Sequence, residues 1–152
     1  MTLRVLAPVA GTVLALEDVP DPVFSGAIVG PGIAVDPGDV ASVEARSPVD
    51  GTIMKLHPHA FVVLTGEGQG VLVHLGLDTV QLGGEGFTLH AAEKDAVTAG
   101  QLLVTWSPKD VAAGGRSPVT PVIALEGSAE ALTTVVAPGD AVAAGDELFS
   151  WE

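Results

Sequence analysis

Apolar positions in this chain fall in short clusters separated by Gly and Pro. Within the first forty residues Pro8, Gly11, Pro20, Pro22, Gly26, Gly30, Pro31, Gly32, Pro37 and Gly38 leave no room for a long helix. Between such breakers lie runs rich in Val, Ile, Leu and Thr: Gly11–Leu16, Ile33–Val35, Gly51–Leu56, Phe61–Leu64, Val71–Leu75, Leu102–Trp106, Val119–Leu125 and Glu147–Trp151. Short strands at this spacing predict an all-β fold, an antiparallel sandwich or barrel. Two segments predict short connecting helices. Pro108–Gly114 follows Ser107 as N-cap, with Pro108 at the first helical position and Gly114 as a stop. Ser128–Val135 opens with Ser128-Ala129-Glu130-Ala131-Leu132 and ends before Pro138.

Two segments recur. Ala7-Pro8-Val9-Ala10-Gly11-Thr12-Val13 returns as Ser47-Pro48-Val49-Asp50-Gly51-Thr52-Ile53, and Ala96–Leu103 returns as Ala141–Leu148. Shared turn chemistry, with Gly closing a β-turn before a strand, is one explanation. We favour two similar β motifs packed as one domain. The copies are too few and too irregular for a solenoid.

Composition narrows the function. Six Lys and Arg against 19 Asp and Glu give a net charge of −13, which argues against nucleic acid and against anionic membrane surfaces. With no Cys, disulfides, a cysteine nucleophile and thiolate metal sites are excluded, and a cytoplasmic location is expected. No run approaches about 18 apolar residues, so no membrane-spanning helix is expected, and the first residues lack the pattern of a signal peptide.

Histidine is the scarce reactive residue: His57, His59, His74 and His90. The segments His57–Leu64 and Val71–Val80 flank a Gly-rich turn and predict a β-hairpin. A four-residue turn, Thr65–Gly68, would set Leu64 opposite Gln69 and His59 opposite His74, with Cβ atoms roughly 4.5–5.5 Å apart. An odd-length turn would put the two rings on opposite faces. A close imidazole pair suits a phosphohistidine relay, in which one ring attacks phosphorus and the other donates to the phosphoryl oxygens. On spacing alone ordinary surface polarity comes first, a metal site using His57, His59 and His74 second, and the phosphohistidine relay after both. His90 reads as a surface residue.

Val73-His74-Leu75-Gly76-Leu77-Asp78-Thr79-Val80, followed by Leu82 and Gly84-Glu85-Gly86-Phe87, resembles the phosphorylation signature of the glucose-type enzyme IIA family of the sugar phosphotransferase system. Glu17–Phe24, Ile28–Ala34, Pro48–Ile53, His59-Ala60-Phe61 and Thr120-Pro121-Val122 are similar to further family segments in the same order. The resemblance runs from about Leu6 to Trp151 and implies that residues 1–152 form one such domain. It implies a compact antiparallel β-sandwich with an apolar depression around two histidines. His74 would accept the phosphoryl group through Nε2, the Gly76 carbonyl would hold Nδ1–H, and His59 would hydrogen-bond the phosphoryl group. Asp21 and Asp78 would flank the site, with Val23, Phe24, Phe61 and Val80 as an apolar rim. The implied partners are HPr as donor, the IIB/IIC sugar permease as acceptor, and regulatory proteins. The implied intermediate is a covalent phosphohistidine with no cofactor, although His59 and His74 could also meet zinc at an interface.

The chain departs from the family pattern at His57, where relatives often carry Thr; substitution for the hydroxyl, exposure to solvent and metal binding are the alternatives. It also lacks the longer amphipathic N-terminal extension of some relatives, so no membrane anchor is expected. Two other classes compete. Ala96–Leu102 resembles strand-turn elements of biotinyl or lipoyl carriers, yet Lys55 lies in a strand pattern more than forty residues before them. A zinc hydrolase on His57, His59 and His74 would need a general base, for which only Asp78 offers itself.

Overall fold

A computed structural model describes residues 2–152 and contains fourteen strands and two short α-helices. The strands are β1 Leu3–Leu6, β2 Gly11–Ala15, β3 Gly32–Asp36, β4 Val43–Arg46, β5 Gly51–His57, β6 Ala60–Leu64, β7 Gly70–His74, β8 Phe87–Leu89, β9 Ala96–Val97, β10 Leu102–Trp106, β11 Thr120–Ala124, β12 Leu132–Thr134, β13 Ala141–Val142 and β14 Glu147–Trp151. The helices are α1, Pro22–Ser25, and α2, Pro108–Ala113. All eight expected runs are strands. Helix α2 begins as expected, with Ser107 Oγ accepting from the Asp110 amide at 3.1 Å and Pro108 in the first turn.

Three sheets form, and every strand pairing among the described residues is antiparallel. The large sheet runs β13-β2-β3-β11-β7-β6-β5-β9, and the small ones run β1-β14-β12 and β4-β10-β8. The main core joins one face of the large sheet to the small sheets through Val13, Phe61, Val73, Val122, Leu103, Trp106 and Phe149. A smaller cluster on the other face holds Leu16, Val19, Phe24, Ala34, Leu77, Val119 and Ile123. This is the β-sandwich expected from the sequence.

The repeated segments are the halves of a pseudo-twofold arrangement. Leu6 N–H donates to the Pro48 carbonyl at 3.0 Å, and Arg46 N–H donates to the Pro8 carbonyl at 2.9 Å. β13 pairs with β2 as β9 pairs with β5, and Gly145 N–H reaches Ala7 O as Gly100 N–H reaches Ser47 O. The axis passes through the β11–β7 pair, where Val122 faces Val73. Gly11 and Gly51 occupy equivalent tight crossings. A Cβ there would lie 2.2 Å from Asp36 O and 2.3 Å from Leu64 O, which explains why glycine recurs in the motif.

Three expectations need correction. Ser128–Val135 is not a helix but a 3-10 turn, Ala129–Ala131, leading into β12. The β-branched run Thr133-Thr134-Val135-Val136 favours extended backbone, and pairing with β14 uses it. Helix α1 was not anticipated, although Asp21 caps it by accepting from the Val23 amide at 3.0 Å and Pro22 follows. The hairpin turn holds five residues, Thr65–Gln69, so Leu64 faces Gly70 and His74 faces Ala60 rather than His59.

Candidate functional site

The hairpin turn is odd in length, yet the two rings meet. His59 lies outside the ladder, in the two-residue turn Pro58-His59 between β5 and β6. Strand alternation therefore does not fix its direction. Pro58 has a negative φ and His59 is not among the positive-φ residues, so the turn is not of the mirror-image kind that continues strand twist. The His59 and His74 ring centroids are 5.2 Å apart at an interplanar angle of 67°.

His74 ends β7, and the loop beyond it turns back on its ring. The Nδ1 of His74 lies 2.5 Å from the Gly76 carbonyl oxygen. A carbonyl can only accept, so Nδ1 carries the proton and donates it. Nε2 of the neutral ring is then left with its lone pair. Burial lowers the His74 pKa, while the Gly76 carbonyl and the nearby Asp21 and Asp78 carboxylates act in the opposite sense.

The loop is braced. Leu75 N–H donates to His59 O at 2.7 Å, and Leu77 N–H donates to Ser117 O at 2.8 Å. The fully buried Thr79 hydroxyl donates to Leu75 O at 2.8 Å. Gly76 has φ +81°, and a Cβ there would lie 2.7 Å from Thr79 Cγ2 and 3.0 Å from Ser117 O. The sequence reading did not single out Thr79 or Ser117. A short polar residue after a strand-ending glycine is the only hint of Thr79, and Ser117 comes from a distant segment.

His59 is half-buried, and its pKa is lowered from 6.5 to about 4 by burial first, then by His74 and His57. His57 is exposed and stacks on His59 at 5.6 Å and 23°. The Phe24 ring packs against His74 at 5.3 Å. Val23 and Val80 are exposed at the surface near these groups, whereas Phe24 is buried and forms a wall. Phe61 contradicts the expected rim: it is 0% exposed, opposite Val73 in the main core. It neighbours Ala60 in sequence, and strand alternation turns it inward. His90 is exposed and its Nε2 lies 2.7 Å from Thr105 Oγ1.

Among the described residues no three His, Asp or Glu side chains gather as a metal-binding group. Lys55 is exposed within β5, opposite Val62, and does not occupy a hairpin tip. A surface cleft of about 650 Å³ is lined by Thr2, Arg4, Asp50, Thr65, Glu67 and Gly145 and contains neither site histidine. The histidine face is an open surface with apolar neighbours, suited to meeting a protein. Among the described residues no helix is long and apolar enough to cross a membrane.

A β-sandwich that holds one partly buried imidazole on a backbone carbonyl beside a second ring has the parts a phosphoryl-carrying domain needs, and the comparisons with known proteins give the class. Residues 3–130 match the model of the phosphoenolpyruvate-dependent sugar phosphotransferase system EIIA 1 family. The glucose-specific EIIA component of Bacillus cereus is 38% identical over 135 residues, covering 87% of this chain and 80% of the relative. The glucose-specific EIICBA component of Streptococcus pneumoniae is 45% identical over 131 residues, covering 85% of this chain and 18% of that longer protein. The structure of glucose permease IIA from Mycoplasma capricolum aligns with a TM-score of 0.86 at 35% identity, covering 99% of this chain and 96% of that one. The chain belongs to the EIIA 1 family: it is a phosphotransferase component that carries a phosphoryl group in the sugar phosphotransferase system.

Proposed function

We propose that His74 accepts a phosphoryl group from phospho-HPr and passes it to the IIB domain of a IIB/IIC sugar permease of the glucose, N-acetylglucosamine or β-glucoside class. The observation that carries this reading is the bond from His74 Nδ1–H to the Gly76 carbonyl, which leaves Nε2 as the nucleophile. In the step, the Nε2 lone pair forms a bond to phosphorus as the P–N bond of the donor histidine breaks, and the departing imidazole keeps that electron pair. A neutral His59 still carries one N–H and donates it to a phosphoryl oxygen. Transfer of this kind depends on positioning more than on new covalent chemistry.

Asp21 and Asp78 hold negative charge near His74, and the −13 net charge adds to it, so a basic partner face is attracted. Val23 and Val80, with Phe24 behind them, exclude water once a partner docks, which protects the labile P–N bond. The reading needs no metal or other cofactor and places the domain in the cytoplasm, where the donor is made. Incubation with phosphoenolpyruvate, enzyme I and HPr, followed by mass spectrometry, tests it. One phosphoryl group on His74, absent from His74→Ala, is the expected result; equal labelling of His74→Ala refutes the assignment.

A further inference from the structure

The two site histidines are held differently. His74 is tied to the Gly76 carbonyl, but among the described residues no hydrogen bond reaches either ring nitrogen of His59. The ring neighbours of His59 are His74 at 5.2 Å and the nearly parallel His57 at 5.6 Å. Strand register explains the row. His57 faces Ala60 across β5 and β6, and Ala60 faces His74 across β6 and β7. All three side chains therefore share one face of the sheet. Its central member contributes only a methyl group, leaving space for the His59 ring from the adjacent turn between the outer two. The next row on that face is Lys55, Val62 and Leu72; Asp21 and Asp78 lie near His74, and the Glu93 carboxylate accepts from the Leu56 N–H beside His57 at 3.0 Å.

We propose that His57 is a positioning residue for phosphoryl transfer: stacked on His59, it holds that ring against His74 so that the N–H of His59 meets the phosphoryl group. This rests on the assignment of His74 as acceptor and His59 as its helper. Flat rings in contact fix each other's orientation, and a misplaced donor forfeits much of what proximity supplies. His57 is exposed, so replacing it leaves the core intact.

Wild type, His57→Ala, His57→Phe, His59→Gln and the His57→Ala/His59→Gln double variant are compared for acceptance from phospho-HPr and for onward transfer to a IIB domain. His57→Ala is expected to slow onward transfer about tenfold while acceptance stays within about twofold. His57→Phe, which keeps a flat ring, should restore most of the loss. His57→Ala should have no further effect once His59 is Gln, because it acts through that ring. Unchanged onward transfer in His57→Ala, or the same loss with or without His59, overturns the proposal. Ring NMR of the unphosphorylated protein separates the two levels. His57→Ala should shift and broaden the His59 ring signals, and unchanged signals refute the stack. Failure of phospho-HPr to label any of the proteins refutes the acceptor assignment and the transfer role that rests on it, whereas unchanged transfer or unchanged ring signals in proteins that are labelled refute the role of His57 alone.

Discussion

At one end of the large sheet Leu75 N–H donates to the His59 carbonyl at 2.7 Å; at the pseudo-equivalent place Ala124 N–H donates to the Pro31 carbonyl at 2.8 Å. One step outward from the Val122–Val73 pair, one half carries His74 and the other Ile123. The backbones repeat, and the side chains do not. Ile123 is fully buried beneath Leu16, Val19 and Phe24, whereas His74 is only partly covered. The loops diverge too. After His74, Gly76 at φ +81° turns its carbonyl onto the ring, while after Ile123 the positive φ falls on Glu126. The scaffold is thus shared, and the proposed reactivity rests on one substituted strand end and the loop that follows it.

The comparison can be broken most severely with His74→Ile, which copies the inert half into the active one. Phosphoryl acceptance should fall by at least about a thousandfold, measured by labelling from phospho-HPr, while the denaturation midpoint stays near that of wild type. The reciprocal test trims the inert half. Ile123→Ala should cost about 3 kcal/mol in chemical denaturation and leave acceptance within a few fold.

Gly76→Ala probes the loop. A side chain at this left-handed position, pressed against Thr79 and the Ser117 carbonyl, should cost about 2 kcal/mol and slow acceptance, because Nδ1 loses its acceptor. His59→Gln should accept phosphoryl within a few fold of wild type yet pass it on about tenfold more slowly, followed in a coupled assay with a IIB domain.

The gentlest test is pH. Folding holds His59 at about 4 instead of 6.5, so between those values the unfolded chain binds the extra proton. Stability therefore falls as pH drops through this window. Denaturation midpoints of wild type should decline relative to His59→Gln over that range, and parallel curves would show that the ring is not so perturbed.

The six longer strands of the large sheet, together with β10 and β14, could be read from sequence because their apolar runs are long enough to show a pattern. β1 and β4 lie just ahead of the repeated motifs and are only four residues long, and β8, β9, β12 and β13 are too short to carry any periodicity. Both site histidines were recognisable, but the route by which they meet was not. It depends on a five-residue turn and on His59 leaving the ladder at Pro58, neither of which hydrophobic alternation encodes. The misplaced Phe61 has the same origin, since proximity to His59 in sequence says nothing about which face a strand residue takes.

The five-residue turn Thr65–Gln69 closes the hairpin at the opposite end from the histidines, and nothing lies within 4 Å of a Cβ built on Gly66 or Gly68. That loop is a natural handle. A fluorophore, an affinity tag or even an inserted domain can be grafted there, so the carrier can be tracked or tethered while its working end is left untouched.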